Sequence, residues 1–141
     1  MTSARIGIGS ALLAFALPFT AAGVATAQPD TAQVVTSLVL EVRPSVGQPG
    51  SAVPVSRSAV LVCYPFVGGT HSNAESACRE LGAVGGAFDS LSADPQSACP
   101  AVEDPVVATA TGVWCGRQVR WERTFGNSCV LRTTTGSVFA L

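Results

Sequence analysis

The chain contains no lysine; all eight of its basic residues are arginines. Schiff-base chemistry, which needs a lysine amine, is thereby excluded. Only 12% of the residues are charged and the net charge is −1. No basic stripe of the kind that tracks a nucleic-acid backbone is present, so no nucleic-acid partner is expected. Histidine is almost absent too. The single one, His71, has Ser72 and Ser76 near it in sequence. Neighbouring residues without an orienting acid do not make a base–nucleophile pair, so His71 is expected to hydrogen-bond within a loop rather than to catalyse. No two of the five cysteines stand at the close spacing of a zinc knuckle, so no metal is expected. Gly68-Gly69 and Gly85-Gly86 read as turns and helix stops, with no lysine after them to make a phosphate loop. Trp114 and Trp121 read as packing residues. The expectation is a protein that is not an enzyme, with no catalytic residue and no cofactor.

What is present begins with a leader. Arg5 precedes an almost unbroken apolar or small run from Ile6 to Val24, and Ala25-Thr26-Ala27 fits a small-x-small cleavage site. Pro18 interrupts the run, which argues against a membrane anchor. Residues 1–27 are therefore expected to be a signal peptide, so that the mature chain is secreted, is extracellular and has no membrane association. Residues 28–36 are expected to be a flexible tail, and residues 37–141 a single domain. Removing Arg5 with the leader leaves seven arginines against nine acids, a charge of about −2. All five cysteines (Cys63, Cys78, Cys99, Cys115 and Cys129) follow the leader, and export makes disulfides their default state. Five is odd, so one thiol is left over, and spacing alone does not choose the pairs.

Hydrophobic alternation marks strands. Ser37 to Arg43 places Leu38, Leu40 and Val42 on one face. Ser58 to Tyr64 is a β-branched run that reads as a central strand. Pro105 to Thr111 and Val113 to Phe125 read as two more, with Trp114-Cys115-Gly116-Arg117 as the hairpin turn between them. Ser137 to Leu141 reads as a short terminal strand. Between the strands, Ser72-Asn73-Ala74-Glu75 has the form of a capping box, and Ala74, Ala77, Cys78 and Leu81 recur at helical spacing up to Gly85-Gly86. Pro44 to Val55 reads as a loop, and Pro65 to Thr70 as a turn centred on Gly68-Gly69. These signals predict an α+β domain: about five antiparallel strands with one main helix packed on them and two intrachain disulfides.

One segment remains: Ala98-Cys99-Pro100-Ala101-Val102-Glu103-Asp104-Pro105. Proline fixes its own φ and pushes the residue before it toward extended geometry. A bonded Cys99 would anchor the segment within two residues of Ala101. A stiff, extended surface peptide has the shape that a protease cleft accepts.

The chain from about Ser37 to Leu141 resembles the Streptomyces subtilisin inhibitor-like family of secreted serine protease inhibitors. The resemblance is carried by Val62-Cys63, Gly69-Thr70-His71, Ser76-Ala77-Cys78, Ala83-Val84-Gly85-Gly86, Cys99-Pro100, Asp104-Pro105-Val106 and Thr111 to Trp114. Glu122-Arg123, Phe125-x-Asn127-x-Cys129 and the ending Ser137-Val138-Phe139 complete it. It implies bridges Cys63–Cys78 and Cys99–Cys129, a reactive bond between Ala101 and Val102, and Asn127 as a brace for the loop. The second bridge would then fix the loop to the strand region around Phe125. A small residue at Ala101, with another at Ala98, suits subtilisin-like and elastase-like pockets and offers nothing to the acidic pocket of a trypsin-like protease. Glu103 and Asp104 add negative charge just past the bond. The resemblance also implies self-association as a homodimer through a sheet face. Cys115 departs from the family pattern and is expected to be an unpaired thiol prone to covalent dimerisation. The competing expectation is a non-inhibitory interaction domain on the same scaffold.

Overall fold

The structure is a computed structural model and describes residues 34–45 and 55–141. The expected signal peptide (1–27), most of the tail (28–36) and the interior of the loop after Pro44 lie outside the described residues.

Five strands form one antiparallel sheet. They are β1 (Thr36–Pro44), β2 (Arg57–Tyr64), β3 (Gly68–Gly69), β4 (Val106–Trp114) and β5 (Arg117–Phe125), and their order across the sheet is β3-β2-β1-β4-β5. Among the described residues, the helices are α1 (Ala74–Ala83) and α2 (Ser128–Thr135), and a 3-10 turn spans Phe88–Ser90. β1 is the middle strand, paired with β2 through Leu40↔Ala59 and with β4 through Leu40↔Ala110. The period-2 pattern explains why. Leu38 and Leu40 are fully buried on one face, beside Leu61 of β2 and Ala108 and Ala110 of β4. Ala77 and Leu81 of α1, Leu131 of α2, and Phe88, Leu91, Val138 and Phe139 complete this one-sided core. α1 lies over β2 and β3, and α2 over β4 and β5. Among the described residues, no helix lies on the opposite face of the sheet.

Four readings of the sequence need correction. First, the run Ser58 to Tyr64 is an inner strand but not the central one; β1 takes that place, with two strands on either side of it. Second, Gly68-Gly69 is not the middle of a turn but a two-residue strand, paired with Val62 and Leu61. Third, Ser137 to Leu141 is not a strand. Its apolar residues fill the core as turns, with Val138 and Phe139 buried, so burial rather than pairing explains the pattern. Fourth, the capping box does not form. The cap of α1 is Asn73, with no side-chain cap bond. His71 Nδ1 accepts the Asn73 N–H at 3.1 Å, and the Ser72 hydroxyl donates to the Ala140 carbonyl at 3.4 Å. Tertiary partners have taken the groups that a local cap would use.

The β4–β5 hairpin turns on Cys115 and Gly116, with φ of 47° and 78°. Two successive positive φ values are the mark of a type I′ turn, whose twist suits a two-residue hairpin.

Candidate functional site

The segment 98–105 has no regular secondary structure and connects the 3-10 turn region to β4. Ala98 and the stretch from Pro100 to Asp104 are exposed, Val102 at 59%. Exposed peptide of this kind is mobile unless something holds it. Here each part is held, and most of the holding groups lie in one short stretch, Gly126 to Thr135.

Cys99 is bonded to Cys129, in the first turn of α2. The bridge therefore ties the loop to a helix, not to the strand region around Phe125. Asn127 is the N-cap of that helix. Its backbone is extended (φ −165°, ψ 172°), and its Oδ1 accepts from Val130 N at 2.9 Å. With the acceptor spent on the helix, the amide nitrogen is turned outward. Nδ2 donates to the Pro100 carbonyl at 3.2 Å and to the Val102 carbonyl at 2.9 Å. One side chain thus spans Ala101 and grips the backbone on both sides of it. Asn127 is only 9% exposed, so these bonds are shielded from competing water.

The two legs of the loop are fixed as well. On the far side, Asp104 N donates to the Gly126 carbonyl at 3.0 Å, and Ser45 N donates to the Pro105 carbonyl at 2.8 Å, which continues the β1–β4 ladder. On the approach side, Asp94 N and Ala93 N donate to the carbonyls of Thr133 (2.8 Å) and Thr134 (3.2 Å). Those carbonyls belong to the last turn of α2, where no intrahelical donor reaches them. Ser97 N then bonds Asp94 O at 3.3 Å and turns the chain toward Ala98.

The loop side chains themselves are free. Among the described residues, neither Glu103 nor Asp104 has a salt-bridge partner; the pair Arg43–Glu122 at 3.2 Å lies on the sheet. The arrangement presents a backbone in fixed geometry, and among the described residues no cluster of metal-ligating side chains stands beside it.

The remaining singled-out residues lie elsewhere. His71 is buried, and both ring nitrogens are engaged: Nδ1 accepts from Asn73 N, so Nε2 donates to the Val138 carbonyl at 3.1 Å. It ties the start of α1 to the 137–141 segment. Cys63–Cys78 joins β2 to α1. Cys115 is exposed and unpaired. Its backbone N–H donates to Thr36 Oγ1 at 2.9 Å. Trp121 stacks on Phe88 with centroids 5.1 Å apart and donates from its indole N–H to Asp89 at 2.8 Å.

Sequence reasoning missed α2 and with it most of the loop's support. A signal was available. Asn127 is a strong N-cap type, and Gly136 follows eight helical residues later at φ 59°, as a C-cap glycine does. The β-branched content of Val130 and Thr133 to Thr135 hid it.

With this geometry in view, the likeness to known proteins is specific. The family profile described as subtilisin inhibitor-like matches residues 34–127. Subtilisin inhibitor-like protein 5 of Streptomyces fradiae is 52% identical over 90 residues, covering 64% of this chain and 83% of its own. Subtilisin inhibitor-like protein 4 of Streptomyces lavendulae is 46% identical over 98 residues, covering 68% and 84%. Among solved structures, Streptomyces caespitosus sermetstatin, in complex with Bacillus licheniformis subtilisin, superposes with a TM-score of 0.63 at 34% identity, covering 76% of this chain and 99% of that one. A five-stranded sheet, two bridges, a braced loop and this degree of identity lead to one assignment: the chain belongs to the subtilisin inhibitor-like family.

Proposed function

We propose that this protein inhibits subtilisin-like serine proteases by presenting residues 98–105 as a substrate that the enzyme binds but does not release, with Ala101–Val102 as the reactive bond. The observation that carries the reading is the double grip of Asn127 on the Pro100 and Val102 carbonyls. A protease serine attacks the Ala101 carbonyl of a bound extended peptide. Turnover then requires the new termini to separate. The chain before the bond is held by Cys99–Cys129 and by the Pro100 carbonyl, and the chain after it by the Val102 carbonyl and Asp104 N. Neither end is free to leave, so resealing competes with release. A loop that is already ordered also gives up little entropy on docking, which favours tight binding by a small interface.

Ala101 enters the primary pocket in this reading and selects subtilisin-like, and secondarily elastase-like, enzymes with room for a small apolar side chain. The leader at 1–27 and the two bridges agree with secretion into an oxidising space, with a tail over 28–36 and the inhibitory domain over 37–141. The open face of the sheet supports a homodimer. Val39 there is 48% exposed, and the strand register sets Val60 and Thr111 beside it. The alternative of a non-inhibitory interaction domain draws no support from relatives, which are named as inhibitors.

The test is titration of subtilisin with the purified mature domain. Stoichiometric inhibition is expected, with slow cleavage yielding a fragment that starts at Val102. Ala101→Pro should abolish inhibition, and Ala101→Arg should redirect it to a trypsin-like protease. Rapid cleavage at several sites without inhibition would reject the reading.

A further inference from the structure

α2 supports the loop, and the exit of α2 is itself clamped by a residue far from the loop in sequence. Ser137 N donates to Glu80 Oε2 at 2.8 Å. Glu80 is on α1, part-buried, and faces the C-terminal end of α2. A carboxylate at that end opposes the helix dipole, so the position is not explained by helix electrostatics. What the carboxylate touches explains it better. A Cβ placed on Gly136 would stand 2.3 Å from Glu80 Oε2 and 2.8 Å from the Cβ of Ala93. Glu80, the exit of α2 and the approach leg of the loop therefore meet at one point, and only glycine leaves them room. Ala93 and Asp94 are the residues whose amides dock on the Thr134 and Thr133 carbonyls immediately before that exit.

We propose that Glu80 is a positioning residue for the reactive loop. By holding Ser137 it fixes the last turn of α2, and by fixing that turn it sets the leg that delivers Ala98 and Cys99 to the protease. The inference rests on the inhibitor reading for its consequence, but not for its geometry. The carboxylate never contacts the protease; it acts through Ser137, Thr133 and Thr134. Since Asn127 and Cys129 sit at the other end of α2, loss of the Glu80 contact loosens the approach leg first and leaves the grip on Pro100 and Val102 in place.

The experiment compares the mature domain with Glu80→Ala, Glu80→Gln and Glu80→Asp. Ala77→Gly serves as a control that weakens α1 while keeping the Glu80 carboxylate. Two readouts are taken: hydrogen exchange at the Ala93 and Asp94 amides, and the rate at which subtilisin hydrolyses the inhibitor. Glu80→Ala should lose protection at both amides and be hydrolysed about tenfold faster, as expected of a misplacement distant from the chemistry. Glu80→Gln keeps an acceptor for Ser137 and should behave as the parent. Glu80→Asp keeps the charge but falls short, and should resemble Glu80→Ala if the latter does not fold. The proposal is overturned if protection at Ala93 and Asp94 is unchanged, if Ala77→Gly at equal Tm gives the same loss, or if Glu80→Gln does not rescue. A parent that fails to inhibit would sink the functional reading, and the exchange data would still decide the positioning.

Discussion

Asn127 performs two tasks with two different atoms, so they can be separated. Asn127→Asp retains an oxygen for Val130 N but replaces the donor facing Pro100 and Val102 with an acceptor that repels their carbonyls. The expected outcome is a fold of near-parent Tm whose inhibition constant for subtilisin rises at least tenfold, since hydrogen bonds of this kind contribute about 1 kcal/mol each and their replacement by repulsion costs more. Asn127→Ala should lose both functions, with about 1 kcal/mol of stability gone through the cap. Thermal melts and subtilisin titrations on the two variants check this. Cys115 offers the opposite case, a thiol outside both bridges whose Sγ accepts only a long hydrogen bond, from Thr36 Oγ1 at 3.7 Å. Its φ of 47° suits asparagine, and Asn-Gly is the preferred pair for such a turn. Cys115→Asn should remove any reducible dimer from a non-reducing gel. It should also raise stability by roughly 0.5 kcal/mol while leaving inhibition unchanged.

At the scale of elements, the two bridges close rings of different size on different partners. Cys63–Cys78 spans 15 residues and joins β2 to α1; Cys99–Cys129 spans 30 and joins the loop to α2. On the chain-entropy account they contribute about 3 and about 3.7 kcal/mol. Stability should thus fall comparably when either is replaced by a serine pair, but function should not. Cys63→Ser with Cys78→Ser should leave inhibition close to that of the parent at temperatures below its lowered Tm. Cys99→Ser with Cys129→Ser should convert the inhibitor into an ordinary substrate, seen as complete cleavage after Ala101 by mass spectrometry. The elements themselves were unevenly legible. β1, β4 and β5 show clean alternation, and the core takes Leu38, Leu40 and Phe125 from them as the pattern implies. α1 was legible from Ala77, Cys78 and Leu81. α2 was hidden because its stability comes from context. Thr135 hides its hydroxyl on the Leu131 carbonyl, Thr133 on Val130, and the loop's approach leg supplies the donors that its last turn lacks. Val138 and Phe139 misled in the other direction, because buried apolar residues carry no label saying whether sheet or coil buries them.

For the whole molecule, the sheet divides its labour by face. The covered side carries the core and orients both helices. The bare side carries Val39, Val60 and Thr111, with the exposed Arg43–Glu122 pair near its end, a contact of small energetic weight. If that side is a dimer interface, Val39→Glu should yield a monomer by sedimentation, since like charges would face each other across a two-fold axis, and its inhibition of subtilisin should be unaltered. The candidate site was legible as a segment but not as a mechanism. Cysteine and prolines marked residues 98–105 as stiff, and the resemblance pointed to Asn127. That α2 holds the loop at both ends depends on contacts among carbonyls and amides, which every sequence possesses and none advertises.

Because the stretch from Gly126 to Thr135 follows the loop in the chain, order of synthesis matters. A ribosome finishes residues 98–105 before the helix that restrains them exists. Until Asn127 and Cys129 have emerged and paired, the nascent segment is slack peptide with a cleavable bond. Any copy that stops short of that helix remains digestible by the very class of enzyme that a finished copy would block.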